Sequence, residues 1–246
     1  MIPFVLTKGK KKYHVQIPSS WEEATLRHYN SIKFSGGNMS AILEGLTGLS
    51  SDVWADTHES ELITHLYPFL EWATVLPDTA ERELPDFIFV NKKLTAVPKK
   101  IHLESWAKKI EAQKIIASKE NISDLLSPLL SIYLDVNIES LQECIYIDLL
   151  CIFENYYKQF IDLLKRDAKY LKSKVNSDQV KAGIGKVNEL GLITILDPMA
   201  KGDLLKYDVI LAQPYENVFN KLVYDNRVAE FQKKYSEVLQ NNSKVK

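Results

Sequence analysis

The sequence predicts a mainly helical α+β fold, in which a helical body with one long amphipathic helix carries two protruding β-hairpins. Glycine and proline number only nine each, together 18 of 246 residues. This combined share is well below the average of about 12%. Residues 138–175 contain neither of them. Two pairs of short β-prone runs flank turn residues, a pattern typical of hairpins.

The first hairpin is predicted within residues 4–17, where two β-prone runs flank a lysine-rich loop that contains Gly9. Pro18 follows and cannot continue the strand ladder. The serine pair Ser19 and Ser20, just before Trp21, is then predicted to supply the cap of a helix whose first turn is acidic. The first hairpin therefore leads directly into a helix.

A similar order recurs about 80 residues later. Residues 87–97 predict a second hairpin with a turn at 91–93, and Pro98 and a helix opened by Trp106 follow. We interpret residues 1–120 as a hairpin-plus-helix region with an internal echo of the order hairpin, proline, tryptophan and helix. The two copies agree in order rather than in residue identity, so two unrelated hairpins remain the alternative.

Residues 121–246 predict a second, helical region. Apolar residues spaced three and four apart predict one helix over 138–175, about 57 Å long at 1.5 Å per residue. Its second half is basic and is expected to project beyond the core. A looser connector is expected over 176–200, followed by helices over 203–211 and 214–239, with Pro214 at the first helical position.

The charges are balanced in number but segregated along the chain. Lys and Arg number 31 against 32 Asp and Glu, which argues against a general polyanion binder. Residues 1–20 nevertheless hold four lysines and no acid, whereas residues 52–86 hold nine acids and the single base Arg82. Opposite local charges of this kind favour association between copies of the chain.

The two cysteines, Cys144 and Cys151, are interpreted as small core residues in a reducing compartment. On one helix they would lie about 10 Å apart along the axis, beyond the reach of a disulfide. The N-terminus lacks a signal-peptide pattern, and the most apolar stretch, 144–153, is shorter than the ~18 residues of a membrane span. We expect a soluble protein that is cytosolic when made, without a membrane partner.

No catalytic residue, cofactor or metal site is predicted. His58, Glu61 and His65 share a helix face, but no further ligand is evident. Residues 183–186 resemble the end of a phosphate-binding loop, yet the preceding strand and the following Ser or Thr are missing. A connector or helix break explains this glycine pair better.

The basic and acidic segments are the candidate subunit contacts. Lys8, Lys10, Lys11 and Lys12 would form one side of the contact, and Glu81, Glu83 and Asp86 would form the other. Such heterologous contacts close into rings or extend into filaments. Two alternatives stay open: these bases and the run 165–174 are solvated surface, or they contact nucleic acid with stacking from Tyr13, Tyr170 or Tyr207.

Several short stretches carry a resemblance: residues 17–29, with the order Pro18, Trp21, Glu22 and Glu23, residues 66–72, the hairpin 87–97 with Pro98, residues 200–209, and residues 214–218. They resemble phage tail and tail-assembly proteins, notably those of Bacteroidetes phages and the crAss-like group. These stretches are spread over most of the chain, but each is short and none is catalytic. It implies a virion or assembly role and transfers no active site.

Three functional hypotheses follow. The leading one is a non-enzymatic subunit of a homo-oligomeric ring in the phage tail or neck, located in the virion beside other tail or portal-proximal proteins. The alternative is a tail-assembly chaperone that binds the tape-measure or another tail protein through the apolar face of 138–164. An enzyme or a nucleic-acid-binding protein is the third.

Overall fold

The computed structural model describes residues 1–54, 69–171 and 180–244. It is 62% helical with two antiparallel two-stranded sheets, which confirms the predicted fold class. The strands are β1 (Ile2–Lys8), β2 (Lys11–Ile17), β3 (Phe87–Val90) and β4 (Lys93–Ala96). The α-helices in these ranges are α1 (Leu26–Phe34), α2 (Met39–Thr47), α3 (Ser51–Trp54), α4 (Trp106–Ser118), α5 (Leu126–Leu134), α6 (Tyr146–Tyr170), α7 (Ile184–Asn188), α8 (Ile193–Ala200), α9 (Tyr207–Leu211) and α10 (Tyr215–Lys244). Short 3₁₀ helices lie at Glu71–Thr74, Ile101–Leu103, Ile122–Asp124, Ile138–Leu141 and Leu204–Lys206.

The chain divides into two compact units, and neither is continuous in sequence. Unit 1 comprises Met1–Lys99 and Lys119–Asn155, and unit 2 comprises Lys100–Ser118 and Tyr156–Lys246. The division falls within α6, so residues 146–155 of this helix belong to unit 1 and residues 156–170 to unit 2.

Both predicted hairpins form, and both belong to unit 1. In the first, Lys8 pairs with Lys11 across a two-residue loop, and Gly9 adopts a φ of +59° that glycine tolerates without strain. In the second, Asn91 and Lys92 form the loop with φ of +48° and +64°. Positive φ at both loop positions is the signature of a type I′ turn, whose twist matches that of the strands.

The first hairpin covers one apolar cluster of unit 1. Its inward-facing Phe4 and Leu6 pack against a set of buried side chains. That set is Ile17, Leu43, Leu46, Trp54 and Leu70. The hairpin is therefore held by apolar burial on one face and leaves its other face in water.

Helix α1 begins later than the sequence predicts. Ser20, one of the two serines predicted to supply the cap, instead closes a turn, since its carbonyl accepts hydrogen bonds from the N–H groups of Glu23 and Ala24. The helix starts at Leu26 because Thr25 forms an antiparallel bridge with Ile145. An extended residue at that position delays the helix by several residues.

The same bridge shortens the helix predicted over 138–175. Leu26 N–H donates to Cys144 O at 3.0 Å, and Tyr146 N–H donates to Ala24 O at 2.8 Å. Ile145 is thus held in extended conformation, so α6 starts only at Tyr146. It ends at Tyr170 and spans about 37 Å; the predicted continuation over 172–175 lies outside the described residues.

Unit 2 repeats this arrangement with a second pair of helices. Ser105 forms an antiparallel bridge with Pro214. Trp106 N–H donates to Gln213 O, and Tyr215 N–H donates to Glu104 O, both at 2.8 Å. The starts of α4 and α10 are therefore joined in the same way as the starts of α1 and α6. Trp106 opens its helix as predicted, whereas Trp21 precedes α1, so Leu26 rather than Trp21 corresponds to Trp106.

The basic end of α6 packs within unit 2 as far as Tyr170 instead of projecting. Arg166 forms an ion pair of 2.7 Å with Glu216 and lies 3.9 Å from the ring centroid of Phe219. Tyr170 meets Phe219 edge to face. The apolar part of α10 therefore covers this end of α6.

The C-terminal helices differ from the prediction in their bounds. Helix α9 is only five residues long, after a 3₁₀ turn at Leu204–Lys206. Pro214 lies in the bridge instead of at the first helical position, and α10 extends to Lys244 rather than ending at residue 239.

A close approach of α1 and α2 provides a test of packing. A methyl group on Gly45 would lie 1.7 Å from Ser31 Oγ and 2.0 Å from Ser31 Cβ. We expect Gly45→Ala to destabilise the chain by about 1–3 kcal/mol, although alanine favours helix. Urea unfolding measures this, and Gly185→Ala is the control because nothing lies within 4 Å of its methyl position. Equal effects of the two substitutions would contradict the packing.

His28 provides a test of pH dependence. Its Nδ1 accepts a hydrogen bond from Thr25 N–H at 3.0 Å, and burial, assisted by the Arg27 charge, lowers the pKa of His28 to about 4 from its usual 6.5. The folded state therefore binds this proton less readily than the unfolded state. Its contribution to stability is complete above pH 6.5 and is lost as the pH falls from 6.5 towards 4.

We expect unfolding free energy to fall by about 2–3 kcal/mol over that pH range because of His28 alone. His28→Gln is the matched variant, since glutamine at this position of a capping box accepts the same N–H but does not titrate. Chemical unfolding at several pH values compares the two proteins. A profile equally steep in His28→Gln would show that another group is responsible.

Candidate subunit-contact surfaces

The first candidate surface is the lysine-rich loop of the β1–β2 hairpin. Lys10, Lys11 and Lys12 are exposed. Lys8 is partly buried and its ammonium donates to the backbone carbonyl of Asp52. Three of the four predicted contact lysines therefore have charged groups in contact with solvent. The fourth, Lys8, uses its ammonium group in a hydrogen bond within the chain.

Two of these lysines destabilise the hairpin itself. Lys8 and Lys11 face each other across the two strands, and like charges at opposite positions destabilise a strand pair. Two roles would explain why lysines occur here despite this repulsion: they protect an exposed hairpin edge from aggregation, or they contact an acidic surface. The predicted subunit contact requires the second role.

The second candidate surface is the acidic segment before β3. Glu81, Glu83 and Asp86 are all exposed. Asp86 already contacts Lys99, with 2.8 Å between the charged atoms. Arg82, between the two glutamates, lies 2.9 Å from Asp148 and 3.8 Å from Glu22.

Arg82, the one basic residue of the acidic segment, thus forms ion pairs with acids elsewhere in unit 1. Among the residues that the structure describes, Glu81 and Glu83 have no ion pair, and none joins Lys10, Lys11 or Lys12 to the acidic segment. Both candidate surfaces therefore remain accessible to another molecule.

The structure adds an apolar surface that the sequence analysis missed. Ile88 and Val90 of β3 point inward and are buried, whereas Phe87 and Phe89 point outward with exposures of 54% and 70%. Leu94, the cross-strand partner of Phe89, is 59% exposed. We name Phe87, Phe89 and Leu94 the hairpin face.

The hairpin face follows the acidic segment directly, since Asp86 precedes Phe87 in the chain. A nearly continuous run of apolar residues in a short strand indicates a strand with both faces covered. Residues 87–90 form such an apolar run. The described residues of this chain cover only the face of β3 that holds Ile88 and Val90. An exposed apolar patch with a polar border is typical of a protein–protein contact.

The apolar face of 138–164, which the chaperone hypothesis requires, is not available for a partner. Leu149, Ile152, Tyr156 and Phe160 have no exposed surface. They form the cores of the two units instead. The burial of these four side chains argues against this face as a binding surface.

The structure places the remaining sequence candidates in structural settings. Cys144 and Cys151 are buried and free of a disulfide. Burial, with a smaller effect of Glu143, raises the pKa of Cys144 to about 11, and burial also raises the pKa of Cys151. Neither thiol is activated as a nucleophile. Gly183, with a φ of +85°, forms a turn before the short helix α7.

The metal candidates His58, Glu61 and His65 lie outside the described residues. Within the described ranges, no group of three His, Cys, Asp or Glu side chains is placed to hold a metal ion. In those same ranges, no helix has the length and apolarity required to cross a membrane.

The candidate nucleic-acid contacts are partly occupied by other side chains. Tyr207 OH donates to Asp197 at 3.0 Å, and Lys165 lies 3.6 Å from Asp162. Tyr13 is partly buried in β2. Residues 172–174 of the basic run lie outside the described part of the chain.

Comparison with protein-family models found no match, and comparisons with curated proteins and with solved structures found no significant similarity. The resemblance to phage tail proteins therefore stays a prediction.

Proposed function

We propose that this chain is a non-enzymatic structural subunit of a phage tail or neck, and that it forms a homo-oligomeric ring by heterologous contacts between copies. The observation that carries the proposal is the exposed, acid-bordered hairpin face in the same unit as the exposed lysine loop. Two different surfaces of opposite charge on one molecule are what a head-to-tail contact requires.

The apolar and charged parts would have different roles in such a contact. The three side chains of the hairpin face supply apolar area that is removed from water. The surrounding charges orient the approaching copy and set the salt dependence of association. The resemblance to phage proteins supplies the tail or neck setting, and it extends the proposal to other tail or portal-proximal proteins as neighbours.

The chaperone alternative is weaker because Leu149, Ile152, Tyr156 and Phe160, on the apolar face of 138–164 that it requires, have no exposed surface. Mass spectrometry of purified particles separates the two functions, since a subunit remains in the mature virion and a chaperone does not. An enzymatic role lacks an activated nucleophile among the described residues.

Charge reversal of the lysine loop tests the contact. We expect Lys10→Glu/Lys11→Glu/Lys12→Glu to weaken association about 5- to 100-fold at low salt, since each of three exposed pairs contributes up to about 1 kcal/mol. Light scattering and negative-stain imaging measure association. Lys114→Glu/Lys119→Glu/Lys186→Glu is the control because these three lysines are also exposed.

The reciprocal variant makes the test specific. Adding Glu81→Lys and Glu83→Lys to the lysine-loop triple variant reverses both surfaces, so complementarity and ring formation should return in part. Unchanged association in the triple variant, or equal losses in the control, would contradict the proposed contact.

The hairpin face has its own test. Phe89→Asp and Leu94→Asp should abolish ring formation while leaving the monomer folded, because both side chains are mostly exposed in the isolated chain. Circular dichroism checks the fold and sedimentation velocity checks assembly. Asn91 lies in the loop of the same hairpin and donates to Ser140 Oγ, so loop variants there are not suitable controls; Lys93→Asp, at an exposed strand position beside Leu94, serves instead. Full assembly of both variants would exclude the hairpin face from the contact.

A further inference from the structure

The C-terminal part of α10 extends beyond the packing of unit 2. Tyr215 and Val218 at its start are buried, whereas every residue from 229 to 242 is exposed. An isolated helix of this length is marginal in water because most helical stability in proteins comes from packing. This part of α10 therefore lacks the covering that its own unit gives to the first turns.

Large apolar side chains follow one side of this exposed helix. Their spacing alternates between four and three residues: Tyr224, Val228, Phe231, Tyr235 and Val238. Tyr224, Phe231, Tyr235 and Val238 are 54–65% exposed. The rings of Phe231 and Tyr235 stack at a centroid distance of 5.9 Å, which makes a continuous ridge.

This spacing is the 3.5-residue repeat of a coiled coil. Counted as a heptad, Val228, Tyr235 and Asn242 occupy position a, and Tyr224, Phe231 and Val238 occupy position d. We name these six residues the α10 seam. A 3.5-residue repeat fits a second helix, since knobs from each helix enter holes on the other.

The residues at position a indicate that the second helix is α10 of another copy. A single asparagine at position a sets the register and oligomeric state of a coiled coil. Asn242 has that place in the α10 seam. A second copy of α10 in parallel orientation would bring the two Asn242 side chains together.

The flanking charges favour the same orientation. Arg227 and Lys234 occupy position g on one side of the seam. An antiparallel pair would bring these cations from both copies to the same side. A parallel pair places them opposite positions e of the second copy, which are Gln232 and Leu239. Parallel pairing thus avoids repulsion, and Leu239, 50% exposed, adds apolar area.

We propose that α10 pairs with α10 of a second copy as a parallel two-stranded coiled coil over residues 224–242. The seam holds three pairs of d and a positions in 19 residues, just under the three heptads that ordinarily define a coiled coil, so pairing depends on concentration. This contact goes beyond the proposed ring contact. It lies in unit 2, involves none of the lysine-loop, acidic-segment or hairpin-face residues, and fails or succeeds independently of them.

Disulfide trapping in the full-length chain tests both contact and orientation. Val238→Cys places a thiol at position d, where the two copies lie at the same height in a parallel pair. Lys233→Cys, at the outward position f, is the matched control, and the two native cysteines are buried. Under mild oxidation we expect the Val238→Cys dimer to form at least tenfold faster on non-reducing gels.

Two results would overturn the proposal. Equal rates for the two variants would show that the seam is not a contact. Cross-linking of Val238→Cys with Val228→Cys in a mixture, but not with itself, would show an antiparallel pair. Rapid self-linking that persists in the lysine-loop triple variant supports the α10 contact even if the ring contact fails.

A second variant tests the seam without cysteine. Tyr235→Glu introduces a charge into the seam, and Ser236→Glu introduces the same charge at the neighbouring, outward position. Both sites are exposed, so neither change disturbs the monomer. We expect sedimentation equilibrium on the lysine-loop triple background to give at least tenfold weaker dimerisation for Tyr235→Glu and less than twofold for Ser236→Glu. Equal effects would contradict the proposal.

Discussion

Two backbone bridges determine where the main helices of this chain begin. In unit 1, Leu26 N–H and Tyr146 N–H donate to carbonyls of the opposite segment, and in unit 2 Trp106 N–H and Tyr215 N–H do the same. The first N–H groups of a helix have no partner within the helix. Each bridge satisfies two of them and joins segments more than 100 residues apart in sequence.

The bridges also position buried tyrosines at equivalent places. Tyr146 stacks on Tyr29 with a centroid distance of 4.1 Å, and Lys109 Nζ lies 4.8 Å from the ring centroid of Tyr215. Tyr29 and Lys109 each lie three residues after the start of their helix. In unit 2 the pair is polar: Lys109 contacts Asp167 at 2.9 Å and Tyr215 OH donates to the same carboxylate. Burial, followed by this hydrogen bond, raises the pKa of Tyr215.

The sequence predicts what depends on local patterns and fails where distant segments pair. Fold class, both hairpins and the buried free cysteines follow from periodicity and turn residues. The starts of α1 and α6 could not be predicted, since nothing near Thr25 or Ile145 signals a bridge to a segment 120 residues away. The lysine loop is visible in the sequence as a charge run. The hairpin face does not follow from the strand prediction alone, although residues 87–90 are all apolar. The α10 seam cannot be distinguished from an ordinary amphipathic helix by its repeat alone, because only burial shows that the seam is uncovered.

We propose that the lysine loop, the acidic segment, the hairpin face and the α10 seam are contacts between copies of this chain. Multi-angle light scattering of the unmodified protein tests it most directly, with concentration and salt varied together. We expect discrete assemblies larger than a dimer at low salt, with masses that are multiples of 28.2 kDa, and we expect them to become smaller as salt screens the lysine loop and the acidic segment. A monomer at every concentration and salt would contradict it.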